Sequence, residues 1–205
     1  MKQLPSRRAF CAGVAALAVG ALCGGVARPC LADADYLRPP GALRESDFAA
    51  RCIRCERCID VCPEDVLYPL GIEAGFLSVR TPSVDYSAGY CTFCDKCREV
   101  CPTGAVGAID PQNPALGRIG VAVVRSDRCL AYLQPGSCGV CERACEYGAI
   151  SFDSERKIVI DQEKCNGCGA CVAVCPANVN THFDGGQVRG VEIVTEKQFA
   201  REGRG

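Results

Sequence analysis

The 205-residue chain has no tryptophan, one methionine and 6% aromatic residues. That is too little for an ordinary hydrophobic core, so metals or disulfides are expected to staple the fold. The formal charge splits into +3 over residues 1–34 (Lys2, Arg7, Arg8 and Arg28 against Asp33) and −4 over the remainder, which together give −1. No basic face stands out, which excludes a nucleic-acid surface.

In chain order, Ser6-Arg7-Arg8-Ala9-Phe10 is a twin-arginine motif, a signal for export of folded proteins. The apolar run Phe10 to Val26 follows, and Ala32-Asp33-Ala34 provides an A-x-A cleavage site before Asp35. Residues 1–34 are therefore expected to be a signal peptide, the alternative being an uncleaved N-terminal anchor. Cys11, Cys23 and Cys30 fall inside it. Leu37-Arg38-Pro39-Pro40-Gly41-Ala42-Leu43 is expected to be extended and solvated because of its two prolines. Arg44 to Arg51 reads as a short helix with Phe48 on its apolar side, so residues 35–50 form a lead-in.

The other sixteen cysteines fall into four quartets: Cys52, Cys55, Cys58 and Cys62; Cys91, Cys94, Cys97 and Cys101; Cys129, Cys138, Cys141 and Cys145; and Cys165, Cys168, Cys171 and Cys175. The fourth reads C-x2-C-x2-C-x3-C-P, the ligand run of bacterial two-cluster ferredoxins. Three cysteines so spaced wrap a tight loop, and the last points elsewhere, toward a second cluster. A disulfide framework does not repeat this spacing, and for zinc the third cysteine is one ligand too many. Export through the folded-protein route agrees, since the same thiols sent unfolded into an oxidising compartment would pair as disulfides.

Between quartets, Gly148 to Phe152 and Lys157 to Ile160 have strand character around an Asp153-Ser154-Glu155 turn. Thr103 to Val106 and Val121 to Val124 suggest a similar return, and Gly104 and Gly148 share an offset where φ > 0 is expected. Glu64 to Tyr90 is expected to be a partly helical surface insertion. Pro135-Gly136, in the widened gap between Cys129 and Cys138, marks a surface turn. Val188 to Val194 is a candidate strand, and residues 196–205 are expected to fray. The single histidine, His182, is read as a surface residue. With no nucleophile motif, phosphate loop or dinucleotide fingerprint, the chain is not expected to be an enzyme on its own.

The fold class expected is α+β: tandem bacterial ferredoxin-like modules, two two-cluster units with few short helices and hairpins. The modules are placed at 51–128 and 129–183, with a C-terminal tail over 184–205. Only 20 positions separate Cys145 from Cys165, against 29 from Cys62 to Cys91 and 28 from Cys101 to Cys129. The short hairpin favours pairing third with fourth and first with second. Cys52, Cys55 and Cys58 then take Cys101; Cys91, Cys94 and Cys97 take Cys62; Cys129, Cys138 and Cys141 take Cys175; and Cys165, Cys168 and Cys171 take Cys145. The competing arrangement pairs first with fourth and second with third. Arg51, Arg54 and Arg57 around the first quartet suggest a higher potential there, because positive charge favours the reduced state; a plain solvated face is the alternative.

The chain resembles the NapG/MauM family of exported ferredoxin-type proteins. The likeness is carried by the twin-arginine signal, Leu37 to Leu43, the first quartet with Pro63-Glu64-Asp65-Val66-Leu67, and the gap from Cys129 to Cys138. Two departures are the two-residue spacing of Cys94 and Cys97, where the family often has four, and Glu146 in place of proline. The resemblance implies four [4Fe–4S] clusters. It also implies electron transfer from membrane quinol, through a polytopic iron–sulfur quinol-oxidising partner, toward a periplasmic reductase or cytochrome acceptor such as the nitrate reductase. The chain would then be an electron-transfer subunit of a quinol dehydrogenase complex. Rival readings are the iron–sulfur subunit of a molybdenum oxidoreductase and a metal-stapled binding module without redox role.

Overall fold

The computed structural model describes residues 35–110, 113, 116–177 and 189–202. The twin-arginine motif, the apolar run, the A-x-A site, Cys11, Cys23, Cys30 and His182 lie outside the described residues. Three two-stranded antiparallel sheets, seven short α-helices and one 3-10 turn (Ile72–Ala74) are found among the described residues, an α+β arrangement.

One plan is used twice. In the first half, α1 (Glu45–Arg51) leads into the first quartet, and α2 (Arg57–Asp60) follows its loop. The hairpin of β1 (Leu67–Pro69) and β2 (Pro82–Val84) then carries the chain to the second loop and α3 (Lys96–Glu99). The outer ends meet where Ala42 bridges antiparallel to Val106. In the second half, β3 (Val121–Val124) precedes α4 (Leu130–Leu133) and α5 (Val140–Arg143). The hairpin of β4 (Ile150–Phe152) and β5 (Ile158–Ile160) leads to α6 (Ala170–Ala173). The outer ends meet as β3 pairs with β6 (Val191–Val194), and α7 (Glu196–Glu202) closes the described chain. In each half the helical turns after the cysteine loops pack together, α2 on α3 and α5 on α6.

The β4–β5 hairpin forms where the local pattern places it. Its turn is held by the Asp153 carboxylate, which accepts from the N–H groups of Glu155 and Lys157, both at 2.9 Å. Gly104 and Gly148 have φ of +64° and +59°. Phe48 is fully buried on α1, and Gly136 turns at φ +79°.

Four local expectations are corrected. The Leu37 to Leu43 segment is not solvated, since Arg38, Pro39 and Pro40 are buried. It lies along β2, with Leu37 O accepting from Val84 N–H at 3.0 Å. Prolines can be buried there because they have no N–H to satisfy. The Arg38 guanidinium forms a bidentate pair with Glu45, donates to Thr81 Oγ1 and Pro82 O at 2.8 Å, and stacks 4.8 Å from the Phe48 ring; every face of the charge is met.

Glu64 to Tyr90 is a helical surface insertion only in its middle, at the 3-10 turn Ile72–Ala74, and not at its ends. It supplies the β1–β2 hairpin and buries Val66, Leu67, Leu70, Val84 and Tyr86; of its middle, Ile72, Phe76 and Leu77 are exposed.

The return from Gly104 to Val124 is not a hairpin. Val121↔Val194 through Val124↔Val191 pair across the molecule, a ladder joining residues on either side of the expected boundaries at 128/129 and 183/184.

Residues 196–202 do not fray. Thr195 and Gln198 form a reciprocal capping box, Gln198 N–H to Thr195 Oγ1 and Thr195 N–H to Gln198 Oε1, both 3.2 Å. Arg125 reaches Glu192 and Glu202 at 2.8 Å, tying α7 to the β3–β6 ladder.

Candidate metal centres

Three of the cysteine loops share one backbone. Residues two and four places after the first cysteine are left-handed: Arg54 and Glu56 (φ +59° and +62°), Phe93 and Asp95 (+52° and +64°), Gly167 and Gly169 (+76° and +82°). Alternation of this kind turns successive N–H groups to one concave side, a nest for negative charge. A helical turn follows each time, and Glu56, Asp95 and Gly169 cap it without any side-chain hydrogen bond. The N–H groups of the first two helical residues are thus left for whatever the loop cups, while the third donates back to the cap carbonyl at 2.8 to 3.0 Å. The third loop is built differently. Cys129 leads into α4, the chain turns at Gly136, and Cys138 and Cys141 flank the start of α5.

The structure groups the thiols across quartets. Cys52, Cys55, Cys58 and Cys101 line one cavity, backed by Phe48, Pro102 and Val106. Cys62, Cys91, Cys94 and Cys97 line a second, with Pro40, Val66, Val84 and Ile119. Cys145, Cys165, Cys168 and Cys171 line a third, with Ala122, Ile150 and Ile193. The Cys141 thiol is close enough to those of Cys129, Cys138 and Cys175 for each to raise it electrostatically. In each group the odd member comes from the end of the partner quartet, after a helical turn has aimed it away from its own loop.

Burial dominates the electrostatics. It pushes the Cys58 and Cys91 thiols up to about 12 and the Cys97, Cys141 and Cys168 thiols up to about 11, and raises Cys171 well above its ordinary value. Neighbouring thiols add to each shift. Such groups are protonated at neutral pH in the absence of metal, so loading a thiolate-bound group releases protons. At Cys101 burial acts the same way, but the N–H groups of Val106, Thr103 and Ala105 and the Thr103 hydroxyl outweigh it and lower the thiol. Backbone N–H groups also reach sulfur at Cys91 (from Phe93, 3.4 Å), Cys145 (from Ala149, 3.3 Å) and Cys165 (from Ala122, 3.4 Å). All-sulfur donor sets held in N–H-lined, largely apolar hollows fit iron–sulfur clusters.

Several residues of the site were not singled out from sequence. Asn166, 2% exposed, accepts from Cys168 N–H at 3.1 Å through Oδ1; Asn before Gly was its signal, an Asx turn. Tyr86 is buried against the fourth loop, and nothing local marked it. The arginines of the first loop face outward. Arg51 and Arg57 are exposed, Arg54 donates to Leu77 O at 3.0 Å, and Glu56 pairs with Arg80 at 2.8 Å.

The model of the 4Fe-4S dicluster domain matches residues 51–105 and 136–179, and that of a 4Fe-4S single cluster domain matches residues 158–202. Fold and domains together define a ferredoxin-type iron–sulfur electron-transfer protein. The methylamine utilization ferredoxin-type protein MauM of Methylorubrum extorquens is 38% identical over 197 residues, covering 83% of this chain and 84% of its own. Ferredoxin-type protein NapG of Escherichia coli is 35% identical over 176 residues, 77% of this chain and 74% of its own. Ferredoxin-type protein NapF of the same organism is 32% identical over 149 residues, 71% and 83%. The chain belongs to the NapG/MauM family of ferredoxin-type proteins.

Proposed function

We propose that this chain is an exported electron-transfer protein carrying four [4Fe–4S] clusters, relaying electrons from a polytopic membrane quinol-oxidising partner toward a periplasmic reductase. The reading rests above all on the division of sixteen thiols into four groups of four. In it, Cys52, Cys55, Cys58 and Cys101 hold one cluster, and Cys62, Cys91, Cys94 and Cys97 hold the next. Cys145, Cys165, Cys168 and Cys171 hold another, and Cys129, Cys138, Cys141 and Cys175 hold the last. The clusters supply one-electron redox chemistry. The loops donate N–H groups to sulfur and so favour the reduced state, while Phe48, Val66, Ile150 and Ile193 keep water away. Second-module residues then run from β3 to β6, about 121–194, beyond the limits read from sequence.

The likeness to NapG and NapF supports a nitrate-reductase system as the destination, with the chain as a non-catalytic subunit of a quinol dehydrogenase complex. The name of MauM supports a second reading, service to methylamine utilization. Export follows from the twin-arginine motif, and Arg7→Lys with Arg8→Lys is expected to hold the protein in the cytoplasm. The deciding measurement is iron and acid-labile sulfide on anaerobically purified protein, expected near sixteen of each per chain at four per cube. A fully folded preparation saturating at half that content overturns the four-cluster reading.

A further inference from the structure

The two modules meet through their cysteine loops at one place. Cys91 N–H donates to the Cys168 carbonyl at 2.8 Å, so a ligand residue of the second quartet is joined to one of the fourth by a single hydrogen bond. Ile119 N–H donates to Asn166 O at 3.0 Å beside it. Phe93 and Tyr147 stand edge to face, 6.4 Å apart, across the same seam. Tyr86, 6% exposed, leaves β2, and its hydroxyl donates to the Gly167 carbonyl.

The approach is close enough that only glycine fits. A Cβ on Gly169 would lie 2.1 Å from Tyr86 Cδ1, and one on Gly167 would lie 2.4 Å from Gly120 O. Both positions are left-handed, so glycine serves the turn and the contact together. The first quartet's cavity is lined only by residues 48–106, all in the first module. Around Cys138 the lining is Leu130, Val140, Arg143, Phe152, Arg156 and Pro176, all in the second. Within modules, Cys58 neighbours Cys97, and Cys171 neighbours Cys141.

We propose that electrons cross between the modules only at this junction, with Tyr86 as the positioning residue that seats the fourth loop against the second, so that the clusters stand in the line first, second, fourth, third. This rests on the four-cluster reading above. At the junction one electron is lost on the second-quartet side and gained on the fourth-quartet side, or the reverse, with no bond broken and no proton moved. Tunnelling falls steeply with distance, so the shortest inter-module approach carries the current. The first and third quartets become the two terminals, which places the docking sites for donor and acceptor at opposite ends of the cluster line.

The test is electron paramagnetic resonance of the fully reduced, cluster-loaded chain, with iron counted on every sample. In the parent protein the spins are expected to be coupled. Cys94→Ala with Cys97→Ala removes the second cluster, and the first-quartet spin is expected to appear as a narrow, uncoupled signal. Cys52→Ala with Cys55→Ala removes the first cluster, and no uncoupled signal is expected, since the second remains beside the fourth. The reverse pattern overturns the proposed line. Tyr86→Leu is expected to weaken the coupling between modules at unchanged iron content; unchanged coupling overturns the role of Tyr86. Should that variant lose iron, Tyr86→Phe, which keeps the ring and removes the hydrogen bond to Gly167, carries the same readout. Parent protein with iron for only two clusters overturns the four-cluster reading itself, before any coupling is interpreted.

Discussion

The first and fourth cysteine loops have the same backbone and opposite surroundings. At the left-handed positions the first loop carries Arg54 and Glu56, whose side chains run outward to Leu77 O and Arg80. The fourth carries Gly167 and Gly169, pressed on by Gly120 just before β3 and by Tyr86 of the other module. The modules differ in the same sense. Cys55 and Cys94 are exposed, whereas no second-module cysteine is exposed and Cys129, Cys141, Cys165 and Cys171 are buried. The cluster-binding turn itself thus tolerates ordinary residues at a cost of about 1–2 kcal/mol each. Glycine is required where another segment enters the space of the Cβ itself, as Tyr86 and Gly120 do here; Phe93, buried at a left-handed position against Tyr147, shows that burial alone does not demand it.

The strongest challenge to this comparison is an exchange of residue types. Gly169→Val is expected to cost roughly 2–5 kcal/mol, from left-handed strain and overlap with Tyr86, and to release iron. Glu56→Gly, at the matching position, is expected to be neutral or to stabilise by up to about 1 kcal/mol, because backbone strain is relieved and an exposed ion pair is all that is lost. Denaturant melts with iron analysis separate the two. Equal costs would show that crowding is not what selects glycine.

Removal of metal should distinguish the modules next. With a chelator and mild oxidant, iron is expected to leave in two phases, the faster from the module with exposed Cys55 and Cys94. Tertiary structure is expected to be lost with the second phase, since the thin core depends on its metal staples. Iron release followed beside near-ultraviolet circular dichroism checks this; a single phase would erase the difference.

A smaller effect concerns charge. Arg54→Gln is expected to lower one midpoint potential, that of the first-quartet cluster, and leave the others in place. The shift is expected to be modest because the guanidinium leans on Leu77 O. Potentiometric titration reads it, and an unchanged set of midpoints removes any role for the arginines in setting potential.

The smallest effect belongs to α7. The hydrogen bond and charge of Arg125 hold the Glu202 carboxyl below its usual value. A depressed folded value means that the pair stabilises above the unfolded value, and that this is lost as pH falls through the folded one. Glu202→Gln is therefore expected to lower the melting temperature slightly at neutral pH and not in strong acid, with salt shrinking the difference. A change that persists in acid would point to packing of α7 instead.

What the sequence determined by itself was whatever is enforced within a few residues. The C-x2-C-x2-C spacing dictates a loop, Pro63, Pro102 and Pro176 stop the helical turn after three of the four runs, and Asp153 closes the β4–β5 turn on its own neighbours. The capping box of Thr195 and Gln198 was equally local and legible, though masked by the charged, glycine-rich end around it. Tertiary structure alone decided the partners. Val121 to Val124 announces a strand by its β-branched run, but such a run specifies a pleated face and not who pairs with it; Val191 to Val194 was chosen across the whole second module. Arg38, Pro39 and Pro40 look solvated until Glu45, Phe48 and Thr81 are brought around them. Tyr86 acquires its place only when Gly167 and Gly169 arrive from the other module, because a buried hydroxyl needs an acceptor and a close approach needs a missing Cβ, and neither is visible in the residues beside it.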